Sequence, residues 1–464
     1  MAKVKTVHRC TACGGSTPQW TGRCPSCGEW NTLVEEIEAT RVAAGGLAGG
    51  VVPPATPTRI TAVGTGGSRP LPTGLPELDR VLGGGLVPGS VCLLGGEPGA
   101  GKSTLLLAMA ASQAANGRRT LYVSAEEGEH QVRGRAERLG ALHPELWLLA
   151  ETVLPHIVAA LDAVRPDVVV IDSVQTVLDP ELASAPGSVV QVRECAHRLV
   201  QEARARGTAV VLVGHVTKDG ALAGPRVLEH VVDTVLAFEG DRLHALRLLR
   251  AVKHRFGPTS ELGVFEMTAG GLVGVADASG LFLADRRCGV PGSAVVAAID
   301  GHRPLLVEVQ ALVTPTPLPA PRRSAQGVDP GRLSMLLAVL QERAGWGFAK
   351  SDVYVSVAGG VRLAEPGTDL GTCLALASAL AGQPVPSSLV ACGEVGLGGE
   401  IRQVGQAPRR LAEAARLGFR HALVPASVTA PAAGIELIRV EHLADALTVA
   451  GLDATDGRGA VRLS

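Results

Sequence analysis

The stretch Gly96-Glu97-Pro98-Gly99-Ala100-Gly101-Lys102-Ser103-Thr104 lies between an apolar run, Val91-Cys-Leu-Leu-Gly95, and a helix-like run, Thr104-Leu-Leu-Leu-Ala-Met-Ala. Strand, glycine-rich loop and helix in that order make a phosphate-binding loop, or P-loop. The glycines let backbone N–H groups curl around phosphates, Lys102 reaches the β- and γ-phosphates, and the Ser103 hydroxyl ligates Mg²⁺. The helix that begins near Lys102 turns its positive dipole end toward the same anion. The pattern predicts a nucleoside triphosphatase using ATP and Mg²⁺, with residues 96–104 as the nucleotide site.

The bulk numbers limit what that fuel can drive. The chain has 464 residues, enough for two to four domains. It is 46% hydrophobic but only 3% aromatic, so Ala, Val and Leu must build the cores. A net charge of −1 means that any nucleic-acid contact is a local patch and not a global field. No run of about 18 uncharged apolar residues is present, so no membrane span is expected. The first residues, Met-Ala-Lys-Val-Lys-Thr-Val-His-Arg, carry no hydrophobic signal core. The expected location is cytoplasmic, where disulfides are rare and nine cysteines need another role.

Four of those cysteines form two C-x2-C knuckles, Cys10-Thr-Ala-Cys13 and Cys24-Pro-Ser-Cys27, each followed by Gly. Four thiolates suit tetrahedral Zn²⁺, in a segment too small to have its own core. The remaining five, Cys92, Cys195, Cys288, Cys373 and Cys392, read as buried small residues. Trp20 and Trp30 either pack on the ribbon, which is favoured, or stack on a base. From about Ala39 to Pro70 the composition is that of a flexible linker.

Downstream, helix-like segments alternate with buried strands, which predicts an α/β fold with a doubly wound, mostly parallel sheet. The strand Arg119–Ser124 runs into Ala125-Glu126-Glu127. Glu126 at that edge either polarises the attacking water or belongs to an acidic helix start. Asp167-Val-Val-Val-Ile-Asp172 has the Walker-B pattern, with Asp172 holding Mg²⁺ directly or through water. Ala209–Gly214 is another buried strand, after which His215 either senses the γ-phosphate or caps. Residues 177–188 and 218–228 are expected to be mobile loops. Val231–Glu239 and His244–Val252 form a hairpin that ends in Lys253-His254-Arg255-Phe256-Gly257. Alone, that ending is either a solvated strand end or an arginine finger for a neighbour's nucleotide.

Together these motifs resemble the bacterial RadA/Sms family of DNA-repair ATPases along nearly the full length. The family signature Lys-Asn-Arg-Phe-Gly is matched at 253–257 except that His254 replaces Asn. The resemblance implies a RecA-like ATPase core and a hexameric ring on single-stranded or branched DNA. It also implies branch migration of recombination intermediates and work alongside the RecA recombinase. Lys253 and Arg255 are then expected to couple ATP to DNA or to reach a neighbouring subunit's nucleotide.

The C-terminal part looks like the α+β Lon protease domain, through Val355–Gly360, Gly393–Arg402 and Gly418–Pro425. Peptidase chemistry there needs a Ser nucleophile against a Lys base. Asp369 stands near the expected Ser and Pro408 where Lys is expected, so the dyad is missing. The domain reads as a scaffold, with Arg402, Arg409 and Arg410 forming either a basic face or an ordinary solvated one. The expected organisation is a four-cysteine zinc ribbon at 1–38, a linker at 39–70, an ATPase domain at 71–275 and a Lon-like domain at 276–464. The expected activity is DNA-dependent ATP hydrolysis in recombinational repair. Two alternatives remain: a RecA-like autokinase using the Glu126-Glu127 pair, and an ATP-dependent peptidase.

Overall fold

The structure is a computed structural model that describes residues 5–10, 15–30, 32–38, 59–62, 69–215, 227–240, 245–363, 365–429 and 434–452. Most of the linker, Cys13 and the 216–226 loop with Lys218 lie outside the described residues, as does the His215 side chain. Tertiary contacts divide the chain between Val275 and Ala276.

The first residues form a small antiparallel sheet of β1 (Lys5–Cys10), β2 (Ser16–Thr17) and β3 (Leu33–Glu38), in the order β2-β1-β3. Among the described residues its buried apolar cluster is Cys10, Cys24 and Leu33. So small a core needs a metal to hold it. Trp20 and Trp30 are 57% and 68% exposed, so they do not pack as expected. The described residues of the ribbon hold no second apolar layer to receive them. Instead the Arg23 guanidinium lies 5.9 Å from the Trp30 ring centre.

After the short helix α1 (Pro76–Val81), the α/β core begins with β4 (Val91–Gly96) and α2 (Lys102–Ala115). There follow β5 (Thr120–Ser124), α3 (Glu129–Arg138), β6 (Leu146–Ala150), α4 (Leu154–Val164), β7 (Val168–Asp172), α5 (Val189–Arg206) and β8 (Ala209–His215). The run ends with α6 (Val227–Val231), β9 (Thr234–Glu239), β10 (Leu246–His254), β11 (Leu262–Thr268) and β12 (Gly271–Gly274). All nine strands from β4 share one sheet, ordered β12-β11-β10-β9-β4-β8-β7-β5-β6. From β9 to β6 the neighbours are parallel; β10 to β12 extend the sheet antiparallel.

Strand alternation explains why both faces are apolar. In β4, Cys92 and Leu94 face α2 residues such as Leu105, Leu106 and Met109. Val91 and Leu93 face the opposite layer, with Val192 and Leu199 of α5 and Ile157 of α4. Each such side chain contributes about 1.5–3 kcal/mol of burial. The loop expected to be mobile at 177–188 is anchored instead. The buried Gln191 amide accepts from Asp179 N and donates to the carbonyls of Asp179, Leu182 and Ser184.

The second unit contains α7 (Ala278–Leu283), β13 (Ser293–Asp300), β14 (Arg303–Pro315), β15 (Arg323–Gln326), α8 (Pro330–Ala344) and β16 (Ser351–Val357). It continues with α9 (Asp369–Ala381), β17 (Leu389–Ala391), β18 (Glu394–Val395), β19 (Ile401–Arg402), α10 (Ala407–Arg416), β20 (His421–Pro425), β21 (Glu436–Val440) and α11 (Leu443–Val449). Its mixed sheet runs β15-β16-β14-β13-β17-β20-β21, with β18 and β19 pairing separately. The helix α9 is buried from Asp369 to Ser378. Of the five scattered cysteines, four are buried, but Cys288 is exposed because it sits in the turn after α7 and not on an element's inner face.

Candidate nucleotide site and metal centre

The P-loop joins the C-terminal end of β4 to α2. Gly101 stands at φ 105°, in the left-handed region that favours glycine, and caps α2. A Cβ there would meet Met267 Cε at 2.7 Å, and one on Gly96 would meet the Phe238 carbonyl at 2.4 Å. Side chains are therefore kept out of the cradle, and the hairpin strands β9 and β11 wall it. Ala100 and Lys102 are buried. The Lys102 ammonium bends back to donate to Gly96 O at 2.7 Å and Glu97 O at 3.0 Å. Burial pulls its pKa down from 10.5, against the opposing pull of Asp172 and Glu126.

Asp172 ends β7 and is buried. Its Oδ2 accepts from the Tyr122 hydroxyl at 2.7 Å, and the only hydrogen-bond donor to the carboxylate among the described residues is Tyr122. Burial first, then Asp172, pushes the Tyr122 phenol well up, so it stays a donor. The Asp172–Ser173 peptide is cis. The Ser173 hydroxyl donates to Glu126 Oε1. Glu127 turns away to Arg135 Nη2 at 2.6 Å.

The strand that leads to Glu126 is not the P-loop strand's neighbour: β8 and β7 intervene between β4 and β5. At strand spacing that is roughly 14 Å between axes. Lys102, Asp172 and Glu126 nevertheless share one electrostatic site, because each leaves the same carboxyl end of the parallel sheet.

Lys253 and Arg255 are not brought to this site within the chain. Lys253 is registered with Val235, and Val235 with Leu93, whereas Gly96 is registered with Phe238. The pair thus sits at the other end of the sheet, roughly 10 Å down the strands. Lys253 Nζ donates to the carbonyl of Glu229 within α6 and to that of Val232 just past it, at 2.8 Å. Burial, then the neighbouring Arg255, lowers its pKa. Arg255 Nη1 meets Asp233 Oδ1 at 3.1 Å. His254 is part-buried, with Nδ1 at 3.0 Å from Thr234 Oγ1.

The sequence reading gave no role to Tyr122, Ser173 or Arg247. Arg247 is 4% exposed and donates from Nε to Ala100 O of the P-loop at 2.9 Å, across 147 residues. No local pattern marks such a contact, since it depends on how β10 is registered.

In the ribbon, the Sγ atoms of Cys10, Cys24 and Cys27 lie within 4.8 Å of one another, and Cys10 and Cys27 are 3.7 Å apart. Zn–S bonds of about 2.3 Å at tetrahedral angles place sulfurs roughly 3.8 Å apart, so the three thiols fit zinc. Gly28, at φ 78°, makes the turn behind Cys27.

In the second unit, Asp369, expected near the position of a serine nucleophile, is buried in a two-pronged ion pair with Arg332, Nε to Oδ1 at 3.0 Å, and accepts from Val395 N at 3.1 Å. Pro408 lies in the first turn of α10. Arg410 is not on a basic face: it is 2% exposed and held by Glu365 and the Ala297 carbonyl. Arg402 pairs with Glu400, and Arg409 donates to His302 O.

An AAA domain family matches residues 54–221, and a rubredoxin metal binding domain family matches residues 8–35. A KaiC-like protein of Pyrococcus horikoshii OT3 aligns over 45% of this chain and 99% of its own, at TM-score 0.38 and 21% identity. The DNA repair protein RadA of Halalkalibacterium halodurans is 49% identical, covering 97% of this chain and 99% of its own. RadA of Bacillus subtilis is 47% identical over 96% and 99%, and RadA of Pseudomonas aeruginosa 48% over 96% and 99%. With the ribbon, the P-loop core and these near-full-length relatives in hand, the chain belongs to the RadA family of DNA repair proteins.

Proposed function

We propose that the protein is a DNA-repair ATPase whose ATP hydrolysis promotes branch migration on single-stranded or branched DNA. The observation that carries this reading is the convergence of Lys102, Asp172 and Glu126 at the carboxyl edge of the parallel sheet. In this reading the 96–104 cradle and Lys102 hold the triphosphate, and Ser103 and Asp172 hold Mg²⁺, which neutralises developing charge on the phosphoryl oxygens when bound. Glu126, oriented by the Ser173 hydroxyl, takes the water's proton. Cys10, Cys13, Cys24 and Cys27 hold a structural zinc.

Lys253 and Arg255 stand too far from their own P-loop to act in cis. Their role in this reading is at a neighbour's nucleotide in a homo-oligomeric ring, expected to be a hexamer. RecA recombinase is the expected partner. Two observations weigh against the alternatives. Glu127 is engaged with Arg135, which leaves one glutamate and not a pair for self-phosphorylation. Asp369 is locked to Arg332, and no lysine lies beyond Lys350 to serve a peptidase.

The test is the rate of ATP hydrolysis with and without single-stranded DNA, together with migration of a three-strand junction. Lys102→Ala should remove both activities. Lys253→Ala should remove the increment that DNA adds; wild-type stimulation in that variant takes Lys253 out of the mechanism.

A further inference from the structure

Five residues tie the P-loop strand and its loop to strand β10 at both ends. The P-loop strand β4 starts at Val91, whose N–H donates to Asp233 Oδ2 at 3.1 Å, while Asp233 N donates to Val91 O at 2.9 Å. The other oxygen of Asp233 takes Arg255. At the far end of the same pair of strands, Arg247 Nε holds Ala100 O of the P-loop at 2.9 Å. Strands β4 and β10 therefore flank β9 and are tied to each other above and below it. The upper tie is Arg247–Ala100, and the lower is Arg255–Asp233–Val91.

The upper tie is built rigidly. Arg247 is a buried cation that also donates from Nη1 to its own strand, at Leu246 O, 2.9 Å away. A Cβ on Gly240 would come within 2.2 Å of Arg247 Cδ, so the backbone at Gly240, just past β9, lies against its stem. A shift of the P-loop by a few tenths of an ångström cannot be absorbed by a loose side chain; it must move β10 or break a charge-assisted hydrogen bond. From Arg247 the strand runs without interruption to a bulge between Ala251 and Lys253, and then to the Lys253–Phe256 motif.

We propose that Arg247 is a positioning residue that transmits the nucleotide state of the P-loop, through Ala100 and strand β10, to Lys253 and Arg255. This rests on the reading of Gly96–Thr104 as the nucleotide site and of the Lys253 motif as its coupling element. Lys102 holds the loop through the carbonyls of Gly96 and Glu97, whereas Arg247 holds it through the Ala100 carbonyl.

The experiment is hydrogen–deuterium exchange of the full-length protein with and without a non-hydrolysable ATP analogue, on wild type, Arg247→Gln and Arg247→Lys. In wild type, the analogue should slow exchange in peptides covering 96–104 and also in those covering 250–257. In Arg247→Gln the first protection should remain and the second should be lost, with DNA stimulation of hydrolysis reduced at least about fivefold. Arg247→Lys, which keeps the charge but not the planar guanidinium fork, should restore part of both. No protection at 96–104 in wild type sinks the nucleotide reading itself. Protection at 96–104 without change at 250–257 in wild type overturns the transmission proposal alone. So does a nucleotide response at 250–257 in Arg247→Gln equal to wild type. Should Arg247→Gln fail to fold, a wild-type response at 250–257 in Arg247→Lys, whose shorter stem cannot grip both Ala100 and Leu246, overturns it equally.

Discussion

The hydroxyl of Tyr122 donates to Oδ2 of Asp172 at 2.7 Å, across two paired strands and inside the core. The contact fixes one carboxylate oxygen and leaves the other for the site. It is the support on which metal binding by Asp172 rests in the proposed mechanism. Tyr122→Phe keeps the ring and removes the donor. It should lower folding stability by about 1.5–3 kcal/mol, the range for a hydrogen bond to a charged group. It should also raise the Mg²⁺ concentration needed for half-maximal hydrolysis. Urea unfolding and a Mg²⁺ titration of the rate measure the two effects separately.

Lys102 gives a pH signature. Burial lowers its folded pKa below 10.5, the value for an exposed lysine. Between the folded value and 10.5 the unfolded chain binds the proton and the folded one does not, so this group makes stability rise with pH there. Below the folded pKa its unfavourable contribution is present in full. A triphosphate beside the ammonium reverses the shift, so ATP binding within this alkaline window should take up protons. Calorimetry in buffers of different ionisation enthalpy should detect the uptake, and Lys102→Met should abolish it.

Asp369 and Arg332 make a prediction about the second unit. Asp369→Ser places a serine at the start of α9, but no lysine follows Lys350 in the chain, and Pro408 supplies no base. No casein cleavage should appear. The variant removes the two-pronged partner of Arg332, which keeps Glu394 and the Val395 carbonyl, and should destabilise the unit by about 1.5–3 kcal/mol. Thermal unfolding reports the loss; measurable peptide hydrolysis would overturn the assignment of the unit as a scaffold.

The ribbon is expected to depend on its metal. Its cluster of Cys10, Cys24 and Leu33 is too small to hold three strands together. Atomic absorption should find about one zinc per chain, and Cys24→Ser should lose it. Protease digestion of that variant should cut within residues 1–38 while the P-loop core stays intact.

Some of this protein is local chemistry and could be read directly. The P-loop at 96–104, the apolar strands at 91–96 and 168–172, the helix at 189–206 and the cysteine knuckles each carry their signal within a few residues. Hydrophobic period, glycine placement and ligand spacing act over such distances. Other features exist only because distant segments are registered together. The alternation of strands could not say that β8 and β7 stand between the P-loop strand and Glu126. It could not say that Lys253 lies at the opposite end of the sheet from Lys102. Arg247 looked like one more arginine in a hairpin until β10 set it against Ala100. Arg410 looked like a surface charge until α10 turned it inward to Glu365. The sequence by itself determined the phosphate loop and the cysteine knuckles, because the donors of each lie within a few residues of one another. The tertiary structure alone decided which charges face each other. A strand's pairing partners and register are chosen by the whole core, and no single segment contains that information.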